Sequence, residues 1–169
     1  MWYFLKWTPG KYILTIIDEY SRYPFMFPCA DITASTIIKC LKRLFALFGL
    51  PSAIHSDRGS NFMSTELRNY LSNLGIAQTR TTPYHPAGNG QCERFNGVLW
   101  KSILLTLKSQ GKSTAEWEGV LDLVLNASRT LLCTATNENP HERLFRFPRR
   151  SQVGTSLPSW LVPNGPVYV

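Results

Sequence analysis

Asp57 and Glu93 are two carboxylates with 35 residues between them, and each stands where an acid could do chemistry. Asp57 closes a short apolar stretch in HSDRGSNF and is followed by Gly59 and Asn61. The plain reading of such a triplet is a turn, in which the aspartate accepts its own backbone and glycine permits a positive φ. Glu93 lies in QCERFN, expected as the first turn of a helix, where the helix dipole alone favours an acid. The sharper reading needs folding to bring the two side by side. The elements between them must then fit that geometry.

Composition narrows the field. The 169 residues predict one domain with a tail, and 44% hydrophobic content is enough for a buried core. Eighteen Lys and Arg against eleven Asp and Glu give a net charge of +7, which favours a polyanionic partner, nucleic acid before membrane. Cys29, Cys40, Cys92 and Cys133 form no C-x-x-C pair and the three histidines are scattered, so no zinc site is encoded. Reduced thiols and an intracellular location are expected. No apolar run approaches 18 residues, so no membrane span and no membrane partner are expected.

The hydrophobic periods supply the scaffold. Residues 12–17 (YILTII) and 22–27 (RYPFMF) read as strands, with Pro24 assigning the second to an edge or a bulge. Thr8 to Lys11 is a turn signal, so residues 2–7 form the other arm of a hairpin. Ile37, Ile38, Leu41, Leu44, Phe45 and Phe48 fall at helical spacing, stopped by Gly49 and Pro51. A strand at 52–56 ends at Asp57; a helix through Leu67, Tyr70, Leu71 and Leu74 follows, then a strand at 76–81. After the loop PYHPAGNG, Phe95, Val98, Leu99, Ile103 and Leu107 mark a long helix from about Gln91. Ser113 and Glu116 have capping-box spacing and open a further helix reaching Leu132. A strand meander followed by alternating helices and strands predicts a mixed α/β sheet with helices on both faces. Catalytic residues in such sheets gather at strand ends and adjacent helix starts.

DEYSRY (18–23), FGLP (48–51), SDRGSNF (56–62), TTPYHPAGNG (81–90) and ERFN (93–96), in this order, resemble the catalytic core of retroviral-type integrases. The gypsy-type long-terminal-repeat retrotransposons, whose integrase is part of a Pol polyprotein, look most similar. The resemblance runs from about Lys11 to Pro148 and implies an RNase H-like fold. It divides the chain into an atypical N-terminal segment at 1–10 that stands in for a truncated or replaced first strand, an integrase core at 11–148 and an irregular Pro-rich tail at 149–169. It implies that Asp57 and Glu93 are the second and third members of an Asp, Asp, Glu triad that binds Mg²⁺ or Mn²⁺. Two such ions about 3.5–4 Å apart activate a DNA 3′-hydroxyl and stabilise the oxyanion that leaves.

The first aspartate of that triad is missing. Its expected place falls at about Phe4 or Leu5, opposite residue 12 or 13, and no carboxylate precedes Asp18. Asp18 would then lie about 16–20 Å along the strand, so its expected role is structural, and Asp31 is no better placed. With two ligands of three, the chain as it stands is expected to be incomplete for strand transfer. The alternative is a non-enzymatic nucleic-acid-binding or interaction module derived from an integrase core.

Arg94, Lys101 and Lys108 recur every seven residues and share a face, either solvated or gripping phosphates. Gly97 stands where related sequences often carry a basic residue. The resemblance makes Tyr84 to Gly90 a flap beside the active site, with Asn89 as a DNA contact. Arg143, Arg146, Arg149 and Arg150 read equally as a nucleic-acid-binding tail or a solvated end, and Trp100 and Trp117 as core or dimer interface. The expected partners are DNA (element ends and target) and a second copy of the chain, with no small-molecule substrate. The expected location of a functional protein is the nucleus.

Overall fold

The computed structural model describes the backbone of residues 2–8, 11–57, 59–80, 87–133, 136–147, 150–151 and 154–155. Side chains are described for 11–57, 59–80, 95–133 and 136–147. Seven strands appear: β1 (Trp2–Thr8), β2 (Lys11–Ile17), β3 (Pro24–Cys29), β4 (Ala53–Ser56), β5 (Ala77–Arg80), β6 (Arg150–Ser151) and β7 (Gly154–Thr155). Five α-helices appear: α1 (Ala34–Phe48), α2 (Thr65–Asn73), α3 (Ala87–Ser109), α4 (Glu118–Thr130) and α5 (Pro140–Phe145). The main sheet has the order β3-β2-β1-β4-β5. β1, β2 and β3 are antiparallel, whereas β1–β4 and β4–β5 run parallel.

The alternation in YILTII organises both faces. Leu14 and Ile16 join Ile37, Leu41 and Leu44 of α1, Leu67 and Leu71 of α2, Ile54 and Phe62 in one core. Ile13 and Met26 join Leu99, Ile103 and Leu107 of α3 and Val120, Leu121 and Val124 of α4 in the other. The expected sandwich of a sheet between helices is therefore present. β3 carries Pro24 and Pro28 and lies at the sheet edge, where a missing N–H costs no ladder bond. Trp117 is fully buried in the second core, with Trp100 packed against it. Cys29 and Cys40 are unbridged, their sulfurs 3.8 Å apart between β3 and α1. No helix of the described residues is long and apolar enough to cross a membrane.

Several boundaries move. α3 begins at Ala87, four residues before the expected start, and its first turn includes the two glycines that had made the segment look like loop. The Ser113–Glu116 capping box forms, with Ser113 N–H donating to Glu116 at 2.9 Å. It opens a 3-10 turn (Thr114–Glu116), and α4 ends at Thr130, leaving Leu132 exposed. α5 was not expected; Asn139 caps it by accepting from Glu142 N–H at 2.8 Å, and Pro140 occupies the first turn. The expected irregular tail contains the antiparallel β6–β7 pair, Arg150 opposite Thr155.

Asp31 is committed to the start of α1. Its Oδ1 accepts from Thr33 N–H at 2.9 Å, Thr33 Oγ1 at 2.7 Å and Thr36 Oγ1 at 2.5 Å. The Thr36 hydroxyl bond, then the two Thr33 bonds, lower its pKa from 3.8 to about 2. A depressed carboxylate pKa stabilises the fold above the unfolded value and loses that contribution as pH falls through the folded one. Asp31→Asn should therefore lower the melting temperature at pH 6, and the gap from wild type should shrink between pH 4 and 2. A gap independent of pH would show that the carboxylate charge plays no part.

Candidate metal and nucleic-acid site

The segment SDRGSNF folds as one unit. β4 leaves the sheet after Ser56, whose hydroxyl donates to the Asp57 carbonyl at 3.1 Å. Asp57 Oδ1 accepts from Gly59 N–H at 2.9 Å. The chain then makes a 3-10 turn over Ser60–Met63, and Phe62 is driven into the first core with 2% exposure. Phe62 N–H donates to the Gly59 carbonyl at 2.9 Å, and Gln78 Nε2 of β5 donates to the Phe62 carbonyl at 3.0 Å. A carboxylate at a strand end is thus pinned by a buried aromatic five residues later.

Gly59 is needed here for proximity. Its φ is −52°, so the positive φ expected of it is absent. A Cβ at this position would stand 3.0 Å from Asp57 Oδ1 and 3.5 Å from Phe62. Asp57 is half-buried, and its Oδ2 has no protein hydrogen bond among the described residues. One oxygen is fixed while the other remains open, an arrangement suited to an outside ligand.

Glu93 is the seventh residue of α3, and no acid lies in the helix's first turn. The dipole explanation for Glu93 therefore loses its ground, because that effect fades within the first turn. Asn96, Leu99, Ile103 and Leu107 form the buried stripe of α3, whereas Lys101 and Lys108 are exposed. At 100° per residue, position 93 lies on the border between the buried stripe and the stripe carrying Arg94, Lys101 and Lys108. The side chains of Asn89, Glu93 and Arg94 lie outside the described residues. Of the expected flap, Tyr84 to Pro86 also lie outside them, and Ala87 to Gly90 are the first turn of α3.

Asn96 was missed as a site residue although it closes the ERFN motif. It is 4% exposed, and neither its amide nitrogen nor its oxygen has a partner among the described residues.

The first strand carries no acid at the critical place. Trp2 pairs with Ser56, so one step along both parallel strands brings position 3 beside Asp57. Of the expected places, Leu5 pairs with Ile13, within the expected range, and Phe4 with Leu14, one residue beyond it; the register is irregular between Lys6 and Thr8. Tyr3 pairs with Thr15, leaving Asp18 three residues further, about 10 Å rather than 16–20 Å. Asp18 is occupied in any case: its Oδ2 accepts from Ser21 N–H at 2.7 Å and Ser21 Oγ at 2.6 Å, closing the β2–β3 turn. No group of three His, Cys, Asp or Glu able to hold a metal occurs among the described residues.

Arg143 and Arg146 fit neither expectation for the basic end. Arg143 Nε donates to the Tyr20 carbonyl at 2.6 Å and pairs with Glu138 at 3.1 Å. Arg146 donates to the Tyr20 hydroxyl at 2.6 Å. Both guanidinium groups lie near the Tyr20 ring and dock α5 on the β2–β3 turn. Arg149 lies outside the described residues, as does the side chain of Arg150.

Comparison with known proteins agrees with this geometry. The family profile of the integrase core domain matches residues 1–86. The chain is 30% identical over 134 residues to the Pro-Pol polyprotein of simian foamy virus type 3 (strain LK3), covering 79% of this chain and 11% of that protein. It is 31% identical over 164 residues to the Gag-Pol polyprotein of walleye dermal sarcoma virus, covering 94% of this chain and 9% of that one. The chain thus spans about a tenth of the length of these curated relatives. Among solved structures, a chain of a simian T-cell lymphotropic virus intasome superposes with TM-score 0.73 at 20% identity, covering all of this chain and 58% of that one. The HTLV-2 integrase catalytic core domain, solved with magnesium in a trimeric form, gives 0.68 at 16% identity, covering 85% and 91%. These likenesses establish the RNase H-like integrase-core fold.

Gly59→Ala tests the clasp. Overpacking against Asp57 Oδ1 and Phe62 should cost about 1 kcal/mol of stability in denaturant unfolding. It should also shift the amide resonances of residues 57–62. An unchanged midpoint with unchanged resonances would place the carboxylate elsewhere.

Proposed function

The chain belongs to the integrase core domain family, and we propose that it is the catalytic core of a long-terminal-repeat retroelement integrase, with an incomplete metal-ligand set. The observation carrying this reading is the open oxygen of Asp57 at the end of β4, fixed by Gly59 and Phe62. Asp57 and Glu93 would hold Mg²⁺ or Mn²⁺, since hard cations select carboxylate oxygens and keep water or phosphate oxygens as further ligands. A bound pair of such ions supplies nucleophile activation and leaving-group stabilisation for DNA strand transfer. Asp57 orients its open oxygen toward the metal position, and the exposed Lys101 and Lys108, with Arg94 and Asn89 nearer Glu93, engage DNA phosphates.

Position 3 sets the limit of this activity. Tyr3 stands next to Asp57 where a third ligand would complete the set, so the present chain binds the cation weakly and joins DNA poorly. This favours, as a second reading, a DNA-binding module that has kept the fold without the chemistry. The division into an N-terminal strand at 1–10, a core at 11–148 and a tail at 149–169 belongs to this proposal. So do a homodimeric state and action in the nucleus.

The test is restoration. Tyr3→Asp should tighten Mn²⁺ binding by about tenfold or more in calorimetry, as expected when ligand charge is added. The same variant should join a duplex with a recessed 3′-hydroxyl to plasmid DNA, with Asp57→Asn abolishing both effects. Metal binding indifferent to Asp57→Asn would refute the proposed site. Salt-sensitive DNA binding that persists in Asp57→Asn and Glu93→Gln, with no joining by Tyr3→Asp, would favour the second reading.

A further inference from the structure

A hollow of about 580 Å³ lies on the outer side of β5 and is lined by Arg68, Leu71, Ser72, Ile76, Gln78 and Arg80. It begins beside the end of β4. Arg80 is the register partner of Ser56, the residue before Asp57. β5 is an edge strand, so the hollow opens to solvent where the sheet ends.

Its chemistry is one-sided. Two guanidinium groups share the concavity, and among the described residues no acid lines it. The ion pairs among the described residues, Lys11–Glu118 and Arg143–Glu138, involve neither arginine. Arg80 Nε is buried and has no hydrogen-bond partner among the described residues. The Arg80 Nη2 contact to Gln78 Oε1 is long, at 3.5 Å, while Gln78 is anchored through Nε2 to the Phe62 carbonyl at 3.0 Å. Arg80 is thus held next to the clasp that fixes Asp57. Its donors lack the carboxylate that usually partners a half-buried guanidinium.

The occupant that satisfies these donors is a planar or tetrahedral oxyanion. Ligand pockets for small molecules are mostly apolar and enclose their guest. Among the described residues this hollow has only Leu71 and Ile76 as apolar walls, and it is open along one side. Such a shape suits one segment of a chain passing through, touching the protein by its phosphates.

We propose that Arg68 and Arg80, with Ser72 and Gln78, bind the phosphodiester backbone of a nucleic-acid strand, independently of the metal. The phosphate chemistry stands on the hollow itself; the choice of a DNA strand rests on the reading of the chain as an integrase core. Phosphates held at Arg80 would continue the path of the strand past Asp57 and out over the β5 edge. Sequence inspection passed over these residues because they are isolated in the chain. Strand register and the α2 packing bring them together.

The experiment uses the full chain in EDTA, which removes any metal contribution. Binding of a fluorescent 20-base-pair duplex is followed by anisotropy from 50 to 200 mM salt. The double variant Arg68→Gln/Arg80→Gln should bind about tenfold more weakly, and its log–log salt slope should fall by about 1 to 2. Arg68→Lys/Arg80→Lys should keep the slope, because it keeps the charge. Lys39→Gln/Arg43→Gln removes the same charge from the exposed face of α1 and should leave both quantities close to wild type. Thermal melts confirm that each variant is folded. In parallel, inorganic pyrophosphate should shift the amide resonances of Arg68, Ser72, Gln78 and Arg80.

Equal affinity and slope in the Arg→Gln pair would overturn the proposal, as would an equal loss in the α1 control. Pyrophosphate shifts without any duplex effect would replace the nucleic-acid strand with a free phosphate ligand. Loss of strand joining or metal binding in the Tyr3→Asp background would count against the catalytic reading and leave this hollow untouched.

Discussion

The alternating burial of β2 is the constraint on which the molecule depends. Ile13, Leu14 and Thr15 are fully buried and Ile16 nearly so, with neighbours facing opposite cores. A slip of one residue would exchange the two faces and put Leu14 where Ile13 meets α3 and α4. β2 therefore fixes the register of β1 on one side and β3 on the other. Through β1 it sets where β4 runs, and so where Asp57 leaves the sheet.

The functional end of the sheet is built on that frame by two different means. Asp57 is located by local bonds: Gly59 N–H on one oxygen, Phe62 buried below, and Gln78 reaching across from β5. Glu93 is located by a long helix whose buried stripe of Leu99, Ile103 and Leu107 locks its rotation against the second core. The end of β4 thus fixes the Asp57 carboxylate, and α3 fixes the backbone of position 93. Asn96 of α3 and the Nε of Arg80 on β5 have no hydrogen-bond partner among the described residues. Buried polar groups without partners are rare away from ligand sites.

Much of this was legible in the sequence for specific reasons. Strong periods revealed β2, α1 and α4, and Pro24 pointed to an edge or a bulge for β3, which lies at the edge. The order of motifs pointed to the fold that the family profile and solved structures establish. What escaped was information carried by register and tertiary packing. The register of β1 on β4, given by the Trp2–Ser56 pair, leaves no local pattern in the sequence. Two glycines after Pro86 disguised the start of α3, and Gly59 was read for its backbone freedom when proximity to Asp57 requires it. Asn139-Pro140 was a readable helix start that was overlooked. The docking of Arg143 and Arg146 on Tyr20 could not be read, because partners more than a hundred residues away leave no local pattern.

The central claim is that Asp57 and Glu93 converge on one cation. Mn²⁺ is paramagnetic, so substoichiometric addition to the isotope-labelled chain broadens the amide resonances nearest to it. The account predicts simultaneous broadening at residues 57–60 and 92–96, with α4 and the β2–β3 turn unaffected. Broadening around only one of the two carboxylates, or centred on another acidic residue such as Glu116, would contradict it.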